Sequence, residues 1–150
     1  MRLTLIICFF YSFCFSAIAN EKSFFKEAKK LFDEEKYEDS KFLFQRNIVY
    51  NPKDSKSYLY LAKIFKFEED KREEEKNIKA SLLLDPKNEE AMYLLIDMEL
   101  ERSNFSRAEE LKEDFKIICL KMCEKMDSIT QRLRAFDNKD ESWITAIEEQ

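Results

Sequence analysis

The chain has only two prolines, Pro52 and Pro86. Each follows an apolar stretch that ends in Asn or Asp, at residues 48–51 and 82–85. Proline disfavours the helical conformation at the residue before it, so a helix ends at each of these points. Two helix ends in similar local sequence predict a repeated structural unit of about 34 residues, the separation of the two prolines, which we call the repeat period.

A shift of the sequence by one repeat period brings side chains of similar size into register. The matched sets are Phe24 with Tyr58 and Met92, Ala28 with Ala62, Leu31 with Phe65, Phe44 with Ile78, and Tyr50 with Leu84. Agreement in size at several positions is harder to obtain by chance than a shared helical period. The chain is therefore predicted to stack copies of one packing unit.

These positions resemble the tetratricopeptide repeat (TPR) family, whose unit is a pair of antiparallel helices. The first unit, about residues 21–54, carries the motif at Phe24, Ala28, Leu31, Ser40, Phe44 and Pro52. The second unit, about residues 55–88, carries it at Tyr58, Leu61, Ala62, Phe65, Ile78, Ser81 and Pro86. The departures are Glu27 in place of Leu and Asn47 and Glu74 in place of small residues.

A third unit, about residues 89–120, begins in register at Met92 and then departs from the motif. Ile96 occupies the small site, Lys112 the aromatic site and Leu120 the proline site, so we expect a degenerate repeat. The resemblance implies an all-α, TPR-like α-solenoid of antiparallel helix hairpins over residues 21–120. It also implies a small exported bacterial protein that binds other proteins.

The composition excludes several classes of function. The chain has no glycine and no histidine, which removes phosphate-cradling loops, the commonest general base and the commonest transition-metal ligand. Its 26 basic and 31 acidic residues are interleaved, giving a net charge of -5 without a basic stripe for nucleic acid. We therefore expect a protein that is not an enzyme and that uses no cofactor, no metal and no nucleic acid.

The first residues have the three parts of a secretory signal peptide. Met1 and Arg2 form a short positive end, Leu3–Ile18 carry no charge, and residues 17–19 read Ala-Ile-Ala, as signal peptidase requires. Cleavage after Ala19 makes residues 1–19 a signal peptide and the protein periplasmic or envelope-associated. The alternative is an uncleaved inner-membrane anchor at residues 3–19; lipidation of Cys14 is disfavoured because no small residue directly precedes it.

Export leaves Cys119 and Cys123 as the thiols of the mature chain. Their spacing of four residues stacks them on one face of a helix, where a disulfide is geometrically awkward. Two thiolates are too few for a structural zinc site. We expect small buried apolar residues, with redox or intermolecular pairing as the alternative.

The third unit has no proline to end its second helix, and apolar residues continue in heptad spacing. A single long helix at residues 105–136 is predicted from Ala108, Phe115, Met122, Ile129 and Phe136. A short helix around Trp143 follows, and residues 121–150 are interpreted as a C-terminal extension that caps the array. The alternative is a self-associating coiled coil or homodimer with a partner-binding tail at Met122, Ile129, Phe136 and Trp143.

The first helices of stacked hairpins line the inner surface of a solenoid, so partner-binding residues are sought there. The period places Phe25, Leu59 and Tyr93 in one row and Lys29, Lys63 and Asp97 in the next, with Phe32 and Leu100 extending the contact. An apolar row flanked by charges suits a peptide or helix lying in a groove. The alternative is that the row packs between neighbouring helices. The predicted function is a scaffold or adaptor of the bacterial cell envelope.

Overall fold

The computed structural model describes residues 21–135, and every regular element in that range is an α-helix. The predicted signal peptide or anchor, Cys14, Phe136 and the tail around Trp143 lie outside the described residues. The helices are α1 (Glu21–Asp33), α2 (Tyr37–Tyr50), α3 (Ser55–Phe67), α4 (Lys71–Leu84), α5 (Glu89–Glu101), α6 (Phe105–Ile118) and α7 (125–135). No helix within this range is both long and apolar enough to cross a membrane.

The helices form three antiparallel hairpins, α1–α2, α3–α4 and α5–α6, and consecutive hairpins stack on one another. Small residues bring the two helices of a hairpin close together. The Ser40 hydroxyl donates to the Ala28 carbonyl at 2.9 Å, and the Ser81 hydroxyl donates to the Ser55 carbonyl at 3.0 Å. Ala28, Ser40 and Ser81 are motif positions, and these contacts between the helices of a hairpin agree with the predicted TPR-like α-solenoid.

A left-handed residue closes each hairpin, although the chain has no glycine. Glu35, Glu69 and Ser103 have φ angles of 60°, 59° and 58° and stand at intervals of one repeat period. The next residue in each turn bonds back five residues, as in Lys36 N–H to the Leu31 carbonyl at 2.9 Å. This is the Schellman arrangement, which normally uses glycine.

Two clusters of buried side chains form the core. The first joins the first hairpin to α3 through Ala28, Phe44, Leu61 and Ile64. The second joins the other hairpins to α7, and its members are Ala62, Ile78, Leu95, Ile96, Met98, Leu100, Ala108, Leu111, Phe115, Ile129 and Leu133. Both clusters use residues from consecutive hairpins, so no hairpin buries its apolar face alone.

The three departures at small or leucine sites have local partners or lie on the surface, although Asn47 Oδ1 is buried and accepts no hydrogen bond from the described residues. Asn47 is buried and its amide donates to the Asp54 carboxylate at 2.8 Å and to the Ser57 hydroxyl at 2.9 Å. Glu74 is buried with Lys71 Nζ 3.2 Å from its carboxylate, and Glu27 is exposed on α1. The third hairpin packs well despite its degenerate motif, because Ile96 and Phe115 are fully buried in its core.

The prediction of one helix at residues 105–136 is wrong. Helix α6 ends at Ile118, Cys119 has extended φ and ψ angles of −64° and 132°, and helix resumes at residue 125. The apolar spacing continues across the break because α7 folds back and inserts Ile129 into the same core as α6. The heptad pattern from which self-association was predicted as an alternative is therefore divided between two helices, α6 and α7.

The expectation of two buried, unpaired cysteines is wrong as well. Cys119 and Cys123 form a disulfide with their Cα atoms 5.3 Å apart, and Cys123 is exposed. The geometric objection applied to two cysteines within one helix, and here both lie between helices. Glu89 stabilises the same connection, since its carboxylate accepts from the Lys121 and Met122 amides at 2.9 and 2.8 Å.

Glycine at a closing turn is expected to stabilise the fold. Glu69→Gly should raise the free energy of unfolding by about 0.5–1 kcal/mol, because a non-glycine residue is strained at positive φ. The matched control is Glu27→Gly, at an exposed position inside α1, which should lower stability by about 1 kcal/mol. Denaturant unfolding measures both, and a loss of stability in both variants would contradict the turn assignment.

Removing the disulfide is expected to destabilise the chain modestly. Closure of so short a loop restricts the unfolded chain by about 2 kcal/mol, so Cys119→Ser with Cys123→Ser should lose about that much. Wild-type protein in reducing agent should unfold at the same denaturant concentration as the double variant. Identical stability of oxidised wild type and double variant would show that the disulfide does not contribute.

Candidate protein-binding groove

The first helix of each hairpin and α7 lie side by side on one face, which we call the groove face. Contacts between consecutive members define it: Phe25 of α1 meets Tyr60 of α3, and Asp97 of α5 meets Arg132 of α7. Helix α7 therefore takes the place of a fourth first helix. Its Lys125 Nζ lies 5.9 Å from the centre of the Tyr93 ring.

Aromatic rings fill the half of the groove face formed by α1 and α3. Tyr60 is at the centre, with ring centroids 5.9 Å from Phe25, 5.0 Å from Phe32 and 5.0 Å from Phe44, on which it stacks. Lys63 Nζ lies 4.9 Å from the Tyr60 centroid, at cation–π distance. The site therefore combines rigid aromatic area with positive charge.

The aromatic surface continues to the edge where first helices turn into second helices. Phe67 is 61% exposed, its ring stacks on Tyr37 at 4.6 Å, and it lies 6.4 Å from Phe32. An open depression surrounds it, which we call the acidic-aromatic depression. It is lined by Glu35, Lys36, Tyr37, Glu38, Asp39, Phe67 and Glu68.

The rim of the acidic-aromatic depression is mainly anionic. A hydrogen bond from Lys36 lowers the pKa of Glu34, and a hydrogen bond to Glu68 at 2.6 Å raises the pKa of Lys41. Glu35 and Asp39 make no ion pair within residues 21–135, so the rim keeps excess negative charge. Such a rim favours cationic groups beside an apolar anchor.

The other half of the groove face carries a network of ion pairs. Lys66 Nζ and Arg132 Nη1 each lie 2.5 Å from the Asp97 carboxylate, and Lys63 pairs with Glu90. Burial raises the pKa of Asp97, but the hydrogen bonds from Lys66 and Arg132 outweigh burial and hold the pKa below its ordinary value. These charges connect α3, α5 and α7, so their first role is structural.

Half of the predicted groove residues come together on the surface. Phe25, Lys29, Phe32 and Lys63 all gather around Tyr60, with Lys29 Nζ 6.0 Å from its ring centre. Asp97 belongs instead to the ion-pair network, and Tyr93 is half-buried beneath Lys125. The geometry thus concentrates the exposed aromatic surface in the first two repeats.

Two of the predicted groove residues are not available to a partner. Leu59 and Leu100 are only 5% and 7% exposed, because their positions face neighbouring helices. Two of the predicted tail contacts also belong to the core: Ile129 is 1% exposed, and Met122 packs against the second core cluster. Phe136 and Trp143 lie outside the described residues.

Three aromatic residues of the site, Tyr37, Tyr60 and Phe67, were not predicted from the sequence. Comparison between repeats could not find Tyr60 or Phe67, since a shift of one repeat period sets Tyr60 against Lys26 and Leu94, and Phe67 against Asp33 and Glu101. For Tyr60 and Phe67 the usable signal was the reverse one: an aromatic residue on a first helix that has no aromatic equivalent in the other repeats. Tyr37 begins a second helix and shares its register with Phe105. Among residues 21–135, no three Cys, Asp or Glu side chains are placed to hold a metal ion together.

Solved structures similar to this chain include a type III secretion translocator chaperone, SycD of Yersinia enterocolitica. It is 18% identical with a TM-score of 0.68, covering 80% of this chain and 85% of SycD. A second SycD crystal structure, an alternative dimer, is also 18% identical with a TM-score of 0.67, covering 81% and 95%. The TPR domain of Sgt2 from Aspergillus fumigatus is 13% identical with a TM-score of 0.64, covering 85% and 83%.

The chain has the TPR fold. No protein family model matches the sequence, and no curated protein matches it. At these sequence identities the TPR likeness concerns the arrangement of helices, and the groove residues are this chain's own.

The Asp97 network predicts a loss of stability in acid. Because the pKa of Asp97 is lower in the folded state, its ionised form contributes stability above the ordinary carboxyl pKa, and that contribution disappears as pH falls through the folded-state pKa. Asp97→Asn should be about 1–2 kcal/mol less stable at pH 6 and should lose less stability between pH 6 and pH 3.

Urea unfolding at several pH values measures this effect. Asp114→Asn is the matched control, since Asp114 is exposed on α6 and makes no ion pair in the described part of the chain. The control should follow the wild-type pH profile. An unchanged profile for Asp97→Asn would contradict the role of the network.

Proposed function

We propose that this protein is a non-catalytic scaffold or adaptor that binds a protein partner on the groove face. The observation that carries the proposal is the exposed aromatic surface ending at Phe67, which stacks on Tyr37 and adjoins Phe32. Folding does not require a large side chain to remain 61% exposed. Aromatic residues held rigid by ring contacts are the usual anchors of protein interfaces.

The charge around Phe67 indicates the chemistry of the partner. An apolar or aromatic side chain would insert against Phe67 and Tyr37, and Lys or Arg residues beside it would meet the carboxylates of Glu35 and Asp39. An acidic peptide would be repelled there. The proposed ligand is therefore a segment with one large apolar residue flanked by basic residues.

The structural comparisons support a binding role. SycD is described as a translocator chaperone, and protein binding is carried from it to this chain as part of the proposal. The envelope location rests on the signal-like sequence of residues 1–19, and the unit that binds is taken as residues 21–120 with residues 121–150 as its extension.

The exposed phenylalanines provide a matched test. Phe67 and Phe42 are both 61% exposed, but Phe67 lies in the acidic-aromatic depression and Phe42 lies on α2. In fluorescence titrations with a panel of peptides, Phe67→Ala should weaken binding at least tenfold because it removes the anchor contact. Phe42→Ala should bind as wild type does.

The panel places one aromatic residue between two Lys or Arg residues, between two Asp or Glu residues, or between two Ser residues. The basic peptides should bind most tightly, and added salt should weaken their binding more than the binding of the other peptides. Equal effects of Phe67→Ala and Phe42→Ala, or a preference for acidic peptides, would contradict the proposed site.

A further inference from the structure

An exposed apolar residue recurs at one position of all three hairpins. Val49, Leu83 and Ile117 are 77%, 83% and 81% exposed and stand one repeat period apart, in the last turns of α2, α4 and α6. Tyr50 and Leu120 extend the row with exposures of 61% and 86%. We call this the apolar row. The common register of Val49, Leu83 and Ile117 puts them at the edge where second helices end, and Tyr50 and Leu120 adjoin them in sequence.

Packing does not account for the apolar row. Motif residues in the same helices, such as Phe44 and Ile78, are fully buried and suffice to join the hairpins. Exposed apolar side chains are common when scattered singly, but a row at one register collects apolar area along one edge of the array. Such apolar area is typical of sites that contact another protein or a membrane.

A row of lysines accompanies the apolar row. Lys53, Lys87 and Lys121 each follow an apolar-row residue by four positions, and all three are exposed. They make no ion pair among the residues that the structure describes. The three lysines therefore offer their charge outward from this edge.

Two carboxylates near these lysines, Asp54 and Glu89, accept hydrogen bonds within the connecting loops, and a third, Glu124, is exposed near Lys121. Asp54 accepts hydrogen bonds from Asn47 at 2.8 Å and Ser57 at 2.7 Å. Glu89 accepts from the backbone amides of residues 121 and 122. The opposite edge, where the acidic-aromatic depression lies, has unpaired carboxylates at Glu35, Asp39 and Glu69 among residues 21–135. Charge is thus distributed unequally between the two edges.

Helix α1 starts at the edge that carries Lys53, Lys87 and Lys121, which we call the lysine edge. Helix α1 begins at Glu21, and Phe24 in its first turns stacks on Tyr50 of the apolar row at 5.7 Å. In the sequence, the uncharged and mostly apolar stretch Leu3–Ile18 directly precedes this point. The apolar row and the three lysines therefore lie at the same edge as the first turns of α1, which the apolar stretch precedes in sequence.

We propose that this edge lies against an anionic lipid surface. The apolar row inserts at the headgroup boundary while Lys53, Lys87 and Lys121 contact lipid phosphates, as in other amphipathic membrane-surface contacts. The acidic opposite edge is repelled from the same surface, which fixes the orientation. The proposal is independent of the partner bound on the groove face.

Lysine labelling of the full chain with an amine-reactive reagent, read by mass spectrometry, tests the orientation. Vesicles of phosphatidylglycerol should slow labelling of Lys53, Lys87 and Lys121 at least fivefold, whereas phosphatidylcholine vesicles should not. Lys36, an exposed lysine at the opposite edge, is the internal control and should label at one rate in both. Because the readout is local, it applies with or without residues 1–19.

Two sets of substitutions separate the apolar from the electrostatic contribution. Val49→Ser, Leu83→Ser and Ile117→Ser together should abolish the protection while leaving helical circular dichroism unchanged. Lys53→Gln, Lys87→Gln and Lys121→Gln together should weaken binding to phosphatidylglycerol on the order of a hundredfold, since each surface lysine contributes roughly fivefold. Three results would overturn the proposal. They are equal protection by both lipids, no protection by either lipid, and protection in the absence of vesicles that rises with protein concentration, as expected for a dimer.

Discussion

The left-handed closing turn is the constraint on which the rest of the structure depends. Glu35, Glu69 and Ser103 adopt positive φ at intervals of one repeat period, so each second helix leaves its turn in the same direction. Equal turns place equivalent residues of every hairpin at the same height and on the same face. The groove face, the acidic-aromatic depression and the lysine edge all follow from that register.

Much of the fold could be predicted because its determinants are local or periodic. Pro52 and Pro86 end helices by backbone sterics alone, and Ala28 and Ala62 mark close helix contacts that tolerate no larger side chain. The break after Ile118 could not be predicted, since α7 folds back into the same core and preserves the apolar spacing. A periodic pattern records which face is buried, whether or not the helix continues.

The candidate site was less predictable than the fold, because a site depends on contacts between repeats. Phe25 and Lys63 were found from their place on first helices, but the burial of Leu59 depends on the neighbours that flank its helix. Asp97 acquires its role only when α7 brings Arg132 to it from 35 residues away. Tyr60 was not predicted, because comparison between repeats reveals the residues that repeats share, and Tyr60 has no aromatic counterpart in the other repeats.

The two edges of the array impose opposite requirements that one orientation satisfies. If lysines face an anionic surface, the edge bearing Glu35 and Asp39 turns away from it and keeps Phe67 accessible from solution. Basic segments near an anionic membrane are attracted to lipid phosphates, which compete with the carboxylates of the rim. Separation of the depression from the lipid-facing edge by the length of a helix reduces that competition, because the surface potential decays within about 10 Å. The same register that builds the fold therefore keeps the two charged surfaces apart.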